Sequence, residues 1–407
     1  MDAVTSKAPP AVRTSHNIIL AVSASHLIND LIQFLLPALY PLLRANYELD
    51  YFQIGLLTLA QQITACVLQP LMGLYGDSKP KPYLLAVSLL IVTLGVIMLA
   101  TANSFLLLLL AAAVLGVGSA LFHPEASRVS RLASGGKLGF AQSAFQVGGN
   151  AGTAIGPIAA ALIVLPLGQM STVWFGFVAV VGILLLTYVG RWYAAHQRQA
   201  AAAGPIAKPI KPAISRNRLI VAFSVIGALL LSKYVYIETF KSYYTFFLIE
   251  KFNLPVQDAQ FYLFMFLGAI AVGTFFGGPI GDRFGRLTVI WGSIVGALPF
   301  TLAMPYMDLY GTAAMSIIVG LILSSAFSAI VVYAQELVPG KVGMVSGFVF
   351  GFAFGIGAIG AAVLGALADE IGMVQVFAYC AFLPILGFLT IFLPRTAELR
   401  RQVSPKS

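Results

Sequence analysis

The feature that most constrains this chain is a series of apolar stretches, each about 20 residues long, separated by short segments rich in proline, glycine, asparagine or charge. Coiled as a helix rising about 1.5 Å per residue, such a stretch crosses the roughly 30 Å hydrocarbon core of a bilayer. Twelve can be placed: 18–43, 54–75, 83–101, 105–127, 139–165 and 171–190 in the first half, then 219–249, 259–280, 287–304, 311–334, 343–367 and 373–393. Of 407 residues, 59% are hydrophobic and 10% charged, whereas soluble domains carry about 25% charged residues. Too little polar surface remains to coat a water-soluble fold. An all-α integral membrane protein is expected, and a soluble enzyme, a disordered regulator and a secreted disulfide scaffold are excluded.

The two cysteines, Cys66 and Cys380, lie inside apolar runs and read as small buried hydrophobes. Met1 to Asn17 is polar and lacks an apolar core, so no cleaved signal peptide is expected. Arg191 to Asn217 contains Pro205, Pro209 and Pro212 among basic residues, which reads as a solvated linker. The expected organisation is a tail at 1–17, six spans within 18–190, a linker at 191–217, six spans within 218–394 and a tail at 395–407. Of the 24 basic residues, 20 fall on the side shared by both termini and the linker. Only Arg44 and Lys251 fall on the other side, and Lys233 and Lys241 lie inside the seventh span. Because basic loops stay in the cytoplasm, both termini are expected there. The net charge of +9 is thus a topology signal, and no nucleic-acid partner is expected.

An internal repeat supports the same plan. Gly73-Leu-Tyr-Gly-Asp77-Ser-Lys-Pro-Lys81 follows the second span and recurs 205 residues later as Gly278-Pro-Ile-Gly-Asp282-Arg-Phe-Gly-Arg286 after the eighth. Lys137-Leu-Gly139 before the fifth span recurs as Lys341-Val-Gly343 before the eleventh, at an offset of 204. Two landmarks at nearly one offset indicate a duplicated six-helix unit, hence two pseudo-symmetric six-helix bundles. The second copy, Gly-x-x-x-Asp-Arg-x-Gly-Arg, resembles the loop signature of the major facilitator superfamily, while the first departs at Ser78 and Pro80. Glycines there permit close helix approach. Asp77, Asp282, Arg283 and Arg286 can form a charge lock that opens as the halves rock, a plain basic loop being the alternative. Gly152-x-x-x-Gly156-Pro157 in the fifth span resembles the antiporter signature of the same superfamily, with Ala160-Ala161 replacing an expected glycine pair. These small residues are expected to let helices of opposite halves touch, and Pro157 to bend the span; generic packing is the alternative.

Polar residues within the spans mark candidate sites. His26, Asn29, Asp30, Gln33 and Pro37 share one stripe of the first span. Asp30 lies about 18 Å along the axis from Ile18, near the midplane. A carboxylate there is costly unless paired or wet, so reversible protonation is its default role, with a structural hydrogen bond as the alternative. Gln142, Gln146, Asn150 and Thr153 form a second stripe on the fifth span, and Gln62 and Gln69 lie on the second; these read as a polar pathway or as interhelical bonds. His123, Glu125 and Arg128 close the fourth span. Glu125 and Arg128 can pair at i, i+3 as a helix-end pair, and the three together are expected to offer proton exchange and an anion site at the cytoplasmic mouth. On the seventh span Glu238 and Lys241 share a face with Tyr234. Lys241 is expected to snorkel outward, whereas Lys233 lies too deep and needs an acidic partner, a cavity or an anionic ligand.

At Ser25-His-Leu-Ile-Asn-Asp30, Phe122-His-Pro-Glu-Ala-Ser-Arg128, Ser232-Lys-Tyr234 and Tyr333-Ala-Gln-Glu-Leu337, the sequence resembles the bacterial fosmidomycin resistance protein family, and the resemblance runs over essentially the whole chain. It implies the major facilitator fold, a bacterial inner-membrane location and expulsion of the phosphonate antibiotic fosmidomycin in exchange for protons. The residues that map onto the family's cavity are His26, Asn29, Asp30, His123, Glu125, Arg128 and Lys233.

The expectation is therefore a monomeric, twelve-helix secondary transporter in the lipid bilayer that exports small anionic drugs against protons by alternating access. No phosphate-binding Gly-x-x-x-x-Gly-Lys-[Ser/Thr] loop occurs. Neither enzymatic activity nor a cofactor or metal is expected, the proton gradient being the coupling agent. Asp30, Glu125, His26 and His123 are the expected proton-coupling residues. Lys233, Asn29, Gln33, Gln146, Asn150, Arg128, Tyr234 and Glu238 are expected at the substrate, and Asp77, Asp282, Arg283, Arg286, Gly152, Gly156 and Pro157 at gates. A proton-coupled importer of a small anionic metabolite is the nearest alternative, and a passive channel a more distant one.

Overall fold

The computed structural model describes residues 14–79, 81–202, 215–338 and 341–394. Residues 1–13 and 395–407 of the expected tails, and 203–214 of the expected linker, lie outside the described residues. Among the described residues there are helices and no strand. Twelve helices are long and apolar enough to cross a membrane. They are α1 (His16–Tyr47), α2 (Tyr51–Gly76), α3 (Leu84–Thr101), α4 (Phe105–Ala133), α5 (Gly139–Leu167), α6 (Gln169–Gln199), α7 (Arg216–Phe252), α8 (Val256–Gly277), α9 (Arg286–Tyr306), α10 (Leu309–Leu337), α11 (Gly343–Ile371) and α12 (Met373–Phe392).

Local chemistry sets where these helices start and bend. The Asp50 carboxylate accepts from Gln53 N at 2.6 Å while Gln53 Oε1 accepts from Asp50 N at 3.0 Å, a reciprocal cap that starts α2. Asp308 caps α10 through Gly311 N at 2.8 Å. Proline removes a helix donor and crowds the preceding turn. The regular coil of α1 breaks at Leu39, two residues after Pro37, and α5 passes into a π-helical turn at Ala160–Val164, three residues after Pro157. The helix of α6 continues to Ala202, past residue 191 where the sequence suggested a linker. Buried Tyr193 and the Trp192–His196 ring stack at 5.1 Å keep that extension packed.

The packing repeats itself. In the first half α1 packs on α5 and α6, α2 and α3 on α4, and α3 on α6; in the second half α7 packs on α11 and α12, α8 and α9 on α10, and α9 on α12. Advancing each helix by six places converts one set into the other. The contacts between halves, α5 with α8 and α11 with α2, obey the same rule. The fold is thus two pseudo-symmetric six-helix bundles joined along two seams, and the even number of spans puts both ends of the described chain on one face. That face is called terminal below, and the other opposite.

Large apolar side chains cover the outside of the bundle, with Phe177 at 71% and Ile391 at 72% of full exposure. In water such a belt would drive aggregation; hydrocarbon is its natural solvent. The α2–α11 seam is tight enough that a Cβ on Gly73 would lie 2.7 Å from Gly343 O, and one on Gly365 2.6 Å from Tyr51 O. Backbone therefore meets backbone at both faces. The glycines of α5 act differently from the expectation: a Cβ on Gly152 would lie 2.1 Å from Leu27 O, and one on Gly156 2.9 Å from the Phe34 ring. Both partners belong to α1, so these residues seat α5 within its own half rather than across the halves.

Candidate functional site

Two cavities lie between the bundles and share one wall, formed by Asp30, His123, Thr153, Lys241 and Phe354. The first runs from that wall past Gln33, Gln62 and Glu238 to Tyr40 and Thr58. Following α1 away from its start, this is the direction of the opposite face. The second runs past Gln146, Asn150, Lys233 and Tyr234 to Ser324 and Phe327, toward the terminal face. Asp30 therefore stands between two compartments that lead to different sides.

Helical spacing brings His26 and Asp30 together on α1, with Nε2 3.2 Å from Oδ2. His123 enters from α4, its Nε2 3.7 Å from Asp30 Oδ1 and 3.2 Å from His26 Nε2. Asn29 donates to Asp30 Oδ1 at 2.8 Å. The other nitrogen of each ring is already committed. His26 Nδ1 donates to Phe145 O at 2.7 Å, with the imidazole stacked on the Phe145 ring at 4.1 Å, and His123 Nδ1 lies 3.0 Å from Ser119 O and 3.1 Å from Ser119 Oγ. Phe145 O can only accept, so the His26 Nδ1 carries the hydrogen and a neutral His26 turns its Nε2 lone pair inward. His123 does the same in the tautomer whose Nδ1 donates to Ser119 O. Two lone pairs facing each other beside a carboxylate have room for one positive charge.

Lys233 is the second charged element. It is 1% exposed, and among the described residues its Nζ has no hydrogen-bond partner. Aromatic rings lie nearby, with Phe327 at 5.4 Å and Tyr234 at 6.0 Å from the ring centroids. Of the three partners that the sequence suggested, the structure supplies the cavity and, among the described residues, no acid bonded to Lys233. Glu238 is buried on the first cavity, where Ser242, Thr58 and Tyr40 hydroxyls follow it in a chain with spacings of 3.5, 3.2 and 2.7 Å. Tyr40 and Thr58 escaped notice in the sequence because a hydroxyl inside an apolar run carries no pattern of its own.

Several residues sit elsewhere than expected. Glu125 and Arg128 line neither cavity; they pair at 2.8 Å, and Arg128 Nη2 donates to Gly73 O at 3.0 Å, tying the end of α4 to the end of α2. Two residues on a helix differ by about 200°, so Glu125 cannot share the face of His123. Lys241 does not snorkel outward: it belongs to the shared wall, its Nζ 6.0 Å from the Phe34 ring centroid. Asn29 is fully buried and braces Asp30. Asn150 Nδ2 donates to Thr274 Oγ1 at 2.8 Å across the α5–α8 seam. Gln33 and Gln146 line the first and second cavities.

Both faces carry bonds between the halves. On the terminal face Arg131 Nη1 donates to Gln335 Oε1 at 3.2 Å. Arg286 pairs with Glu336 within the second half, Arg283 lies 5.4 Å from the Phe284 ring centroid, and the side chains of Asp77 and Asp282 lie outside those described. On the opposite face the Tyr51 hydroxyl donates to Glu250 and accepts from Arg44 Nη1 at 3.0 Å, while Asp369 accepts from Tyr51 N and Phe52 N at 3.2 and 3.0 Å. Sequence reasoning missed this lock. Its only trace is that Arg44, Glu250 and Asp369 are charges at span ends.

Comparison with known proteins agrees with this architecture. The profile of the Major Facilitator Superfamily matches residues 22–246 and 239–407. The chain is 51% identical over 382 residues to the Fosmidomycin resistance protein of Escherichia coli (strain K12), covering 94% of each. It is 41% identical over 396 residues to the Uncharacterized MFS-type transporter YfnC of Bacillus subtilis (strain 168), covering 95% of each. Among solved structures, the human organic anion transporter MFSD10 (TETRAN) aligns with a TM-score of 0.71 at 16% identity, over 94% of this chain and all of that one. A bacterial homologue of the human lysosomal transporter Spinster, inward-facing and unoccupied, aligns with a TM-score of 0.66 at 14% identity over 95% of each. Twelve membrane-spanning helices in two repeated bundles, matched by that profile along nearly their whole length, place the chain in the major facilitator superfamily.

Proposed function

We propose that the protein exports small anionic compounds of the fosmidomycin type from the bacterial cytoplasm, in exchange for protons, by alternating access. The single observation that carries this reading is Lys233: an ammonium buried without an acid, on a cavity that it shares with the Asp30–His26–His123 cluster. An isolated charge in a dry interior is expensive. It is tolerated where a ligand of opposite charge comes and goes, and the name of the Escherichia coli relative supplies the ligand class. The cluster on the shared wall supplies a separate place for one proton, open to both compartments.

In the cycle, the anion enters the second cavity from the cytoplasm and pairs with Lys233. The halves then rock about the α2–α11 and α5–α8 seams, closing the cytoplasmic side and opening the shared wall outward through the first cavity, by which the anion leaves. A proton arriving through that cavity neutralises Asp30, and its release on the other side completes the return. The distribution of basic residues supports cytoplasmic termini in an inner membrane. The transporter acts as a monomer and moves its substrate unchanged, with no bond made or broken. Uptake of radiolabelled fosmidomycin into inverted vesicles tests the reading: acidifying the lumen should drive accumulation. Uptake that is unchanged when the gradient is collapsed would point to a uniporter or channel, and accumulation in right-side-out vesicles to an importer.

A further inference from the structure

We infer that His26, His123 and Asp30 form a binding site for a divalent cation of the Zn2+ class, and that occupying it arrests transport. The first argument is the direction of the lone pairs. His26 Nδ1 is held by Phe145 O and His123 Nδ1 by the carbonyl and hydroxyl of Ser119, so each ring turns its Nε2 to one point, where the lone pair is free in the tautomer that donates through Nδ1. Asp30 brings a carboxylate to the same point. This is the arrangement of metal-bound histidines, whose outer nitrogen is held by a carbonyl or carboxylate that fixes the tautomer.

The second argument is distance. Zn2+ binds imidazole nitrogen at about 2.0–2.1 Å, so neighbouring ligands of a tetrahedral site lie roughly 3.3–3.4 Å apart. Here the Nε2 atoms are 3.2 Å apart, and the carboxylate oxygens approach them at 3.2 and 3.7 Å. One ligand atom from each residue lies within 4.8 Å of the others. The set therefore closes around a cation with small side-chain adjustments. Two neutral imidazoles and one carboxylate are also the donors that a borderline cation prefers, whereas Mg2+ and Ca2+ favour oxygen. All three residues line the second cavity, and Asp30 and His123 line the first as well, which gives a cation and a completing water a way in. No such set was legible in the sequence, because no helix carries a His-Glu-x-x-His pattern and the two histidines come from different helices.

A cation there holds α1 to α4 and occupies the place of the coupling proton. Only this inhibition rests on the proposed function; the site itself rests on geometry.

The chain has four histidines, which makes the test clean: His16 and His196 lie outside both cavities. Untagged, chelator-treated protein in detergent is titrated with Zn2+ by calorimetry, and with Co2+ by the strong visible absorption of four-coordinate Co2+. One ion per chain is expected. His26→Gln and His123→Gln should each weaken binding by at least about 100-fold through loss of one of three protein ligands, whereas His16→Gln and His196→Gln should leave it unchanged. In vesicles, saturating Zn2+ should lower proton-driven uptake by about tenfold or more, equivalent to about 1.4 kcal/mol, and a chelator should restore it. Absence of stoichiometric binding to the wild-type protein, or binding undiminished in both cavity variants, would overturn the inference whether or not a variant is unstable. Proton-driven transport by a protein that takes no Zn2+ would sink the metal site alone. Zn2+ binding by a protein that transports without protons would sink the proposed function alone.

Discussion

The Nε2 atoms of His26 and His123 lie 3.2 Å apart although the two residues are 97 positions apart in the chain. With the outer nitrogen of His26 held by Phe145 O and that of His123 by Ser119, this pair and Asp30 define a place for one positive charge on the wall between two cavities.

Asp30→Asn removes the carboxylate and nearly preserves shape. Uphill transport should fall to background, while exchange of labelled for unlabelled drug down its own gradient persists. Asp30 is bonded to His26 and Asn29, so a stability loss of about 1 kcal/mol is expected from the altered hydrogen bonds. Thermal melting in detergent and paired uphill and exchange assays check both parts. Full uphill transport by the variant would place the proton elsewhere.

Lys233→Gln tests the proposed anion site. Loss of a charge-assisted contact worth about 1.5–3 kcal/mol should weaken anionic drugs by roughly tenfold to a hundredfold, with little change for neutral analogues. The melting temperature should hold or rise, because no buried acid loses its partner. Equal loss for every compound together with a lower melting point would make Lys233 a scaffold residue.

How much of this site was visible beforehand depended on whether its parts share one helix. The Asp30 stripe and the depth of Lys233 follow from helical period and rise alone. His123 was grouped with Glu125 and Arg128 because they are sequence neighbours, yet rotation around α4 sends them to different surroundings. Lys241 was expected at the outer rim from a seventh span ending near 249; α7 continues to Phe252 and carries Lys241 on the shared wall. Twelve spans and their duplication were legible because lipid demands long apolar helices. The partner of Gly152 and the Tyr51–Glu250 lock were not, since both depend on how helices meet.

Arg128→Gln separates the terminal-face tie from substrate binding. Because Arg128 bonds to Glu125 and Gly73 and lines no cavity, drug affinity in detergent should be unchanged while turnover changes severalfold. A large affinity loss at unchanged turnover would return Arg128 to the substrate site.

Tyr51→Phe removes the hydroxyl that joins Arg44 to Glu250 across the halves. The opposite face should open more often, by a free energy of about 1–3 kcal/mol, seen as faster thiol labelling of a cysteine placed at Thr58. Unchanged labelling would show that this lock does not hold the closed face.

Gly152→Ala should destabilise by about 1–3 kcal/mol through overpacking, since its Cβ would press on Leu27 O. Gly268→Ala meets nothing within 4 Å and should be neutral. Melting temperatures of the pair check the α1–α5 contact.

The most direct test of proton-coupled anion export is the lumenal pH of inverted vesicles, acid-loaded and then given fosmidomycin on the outside. Drug entry should be accompanied by alkalinisation of the lumen in the wild-type protein and by none in Asp30→Asn. Drug accumulation with no movement of lumenal pH would contradict the account.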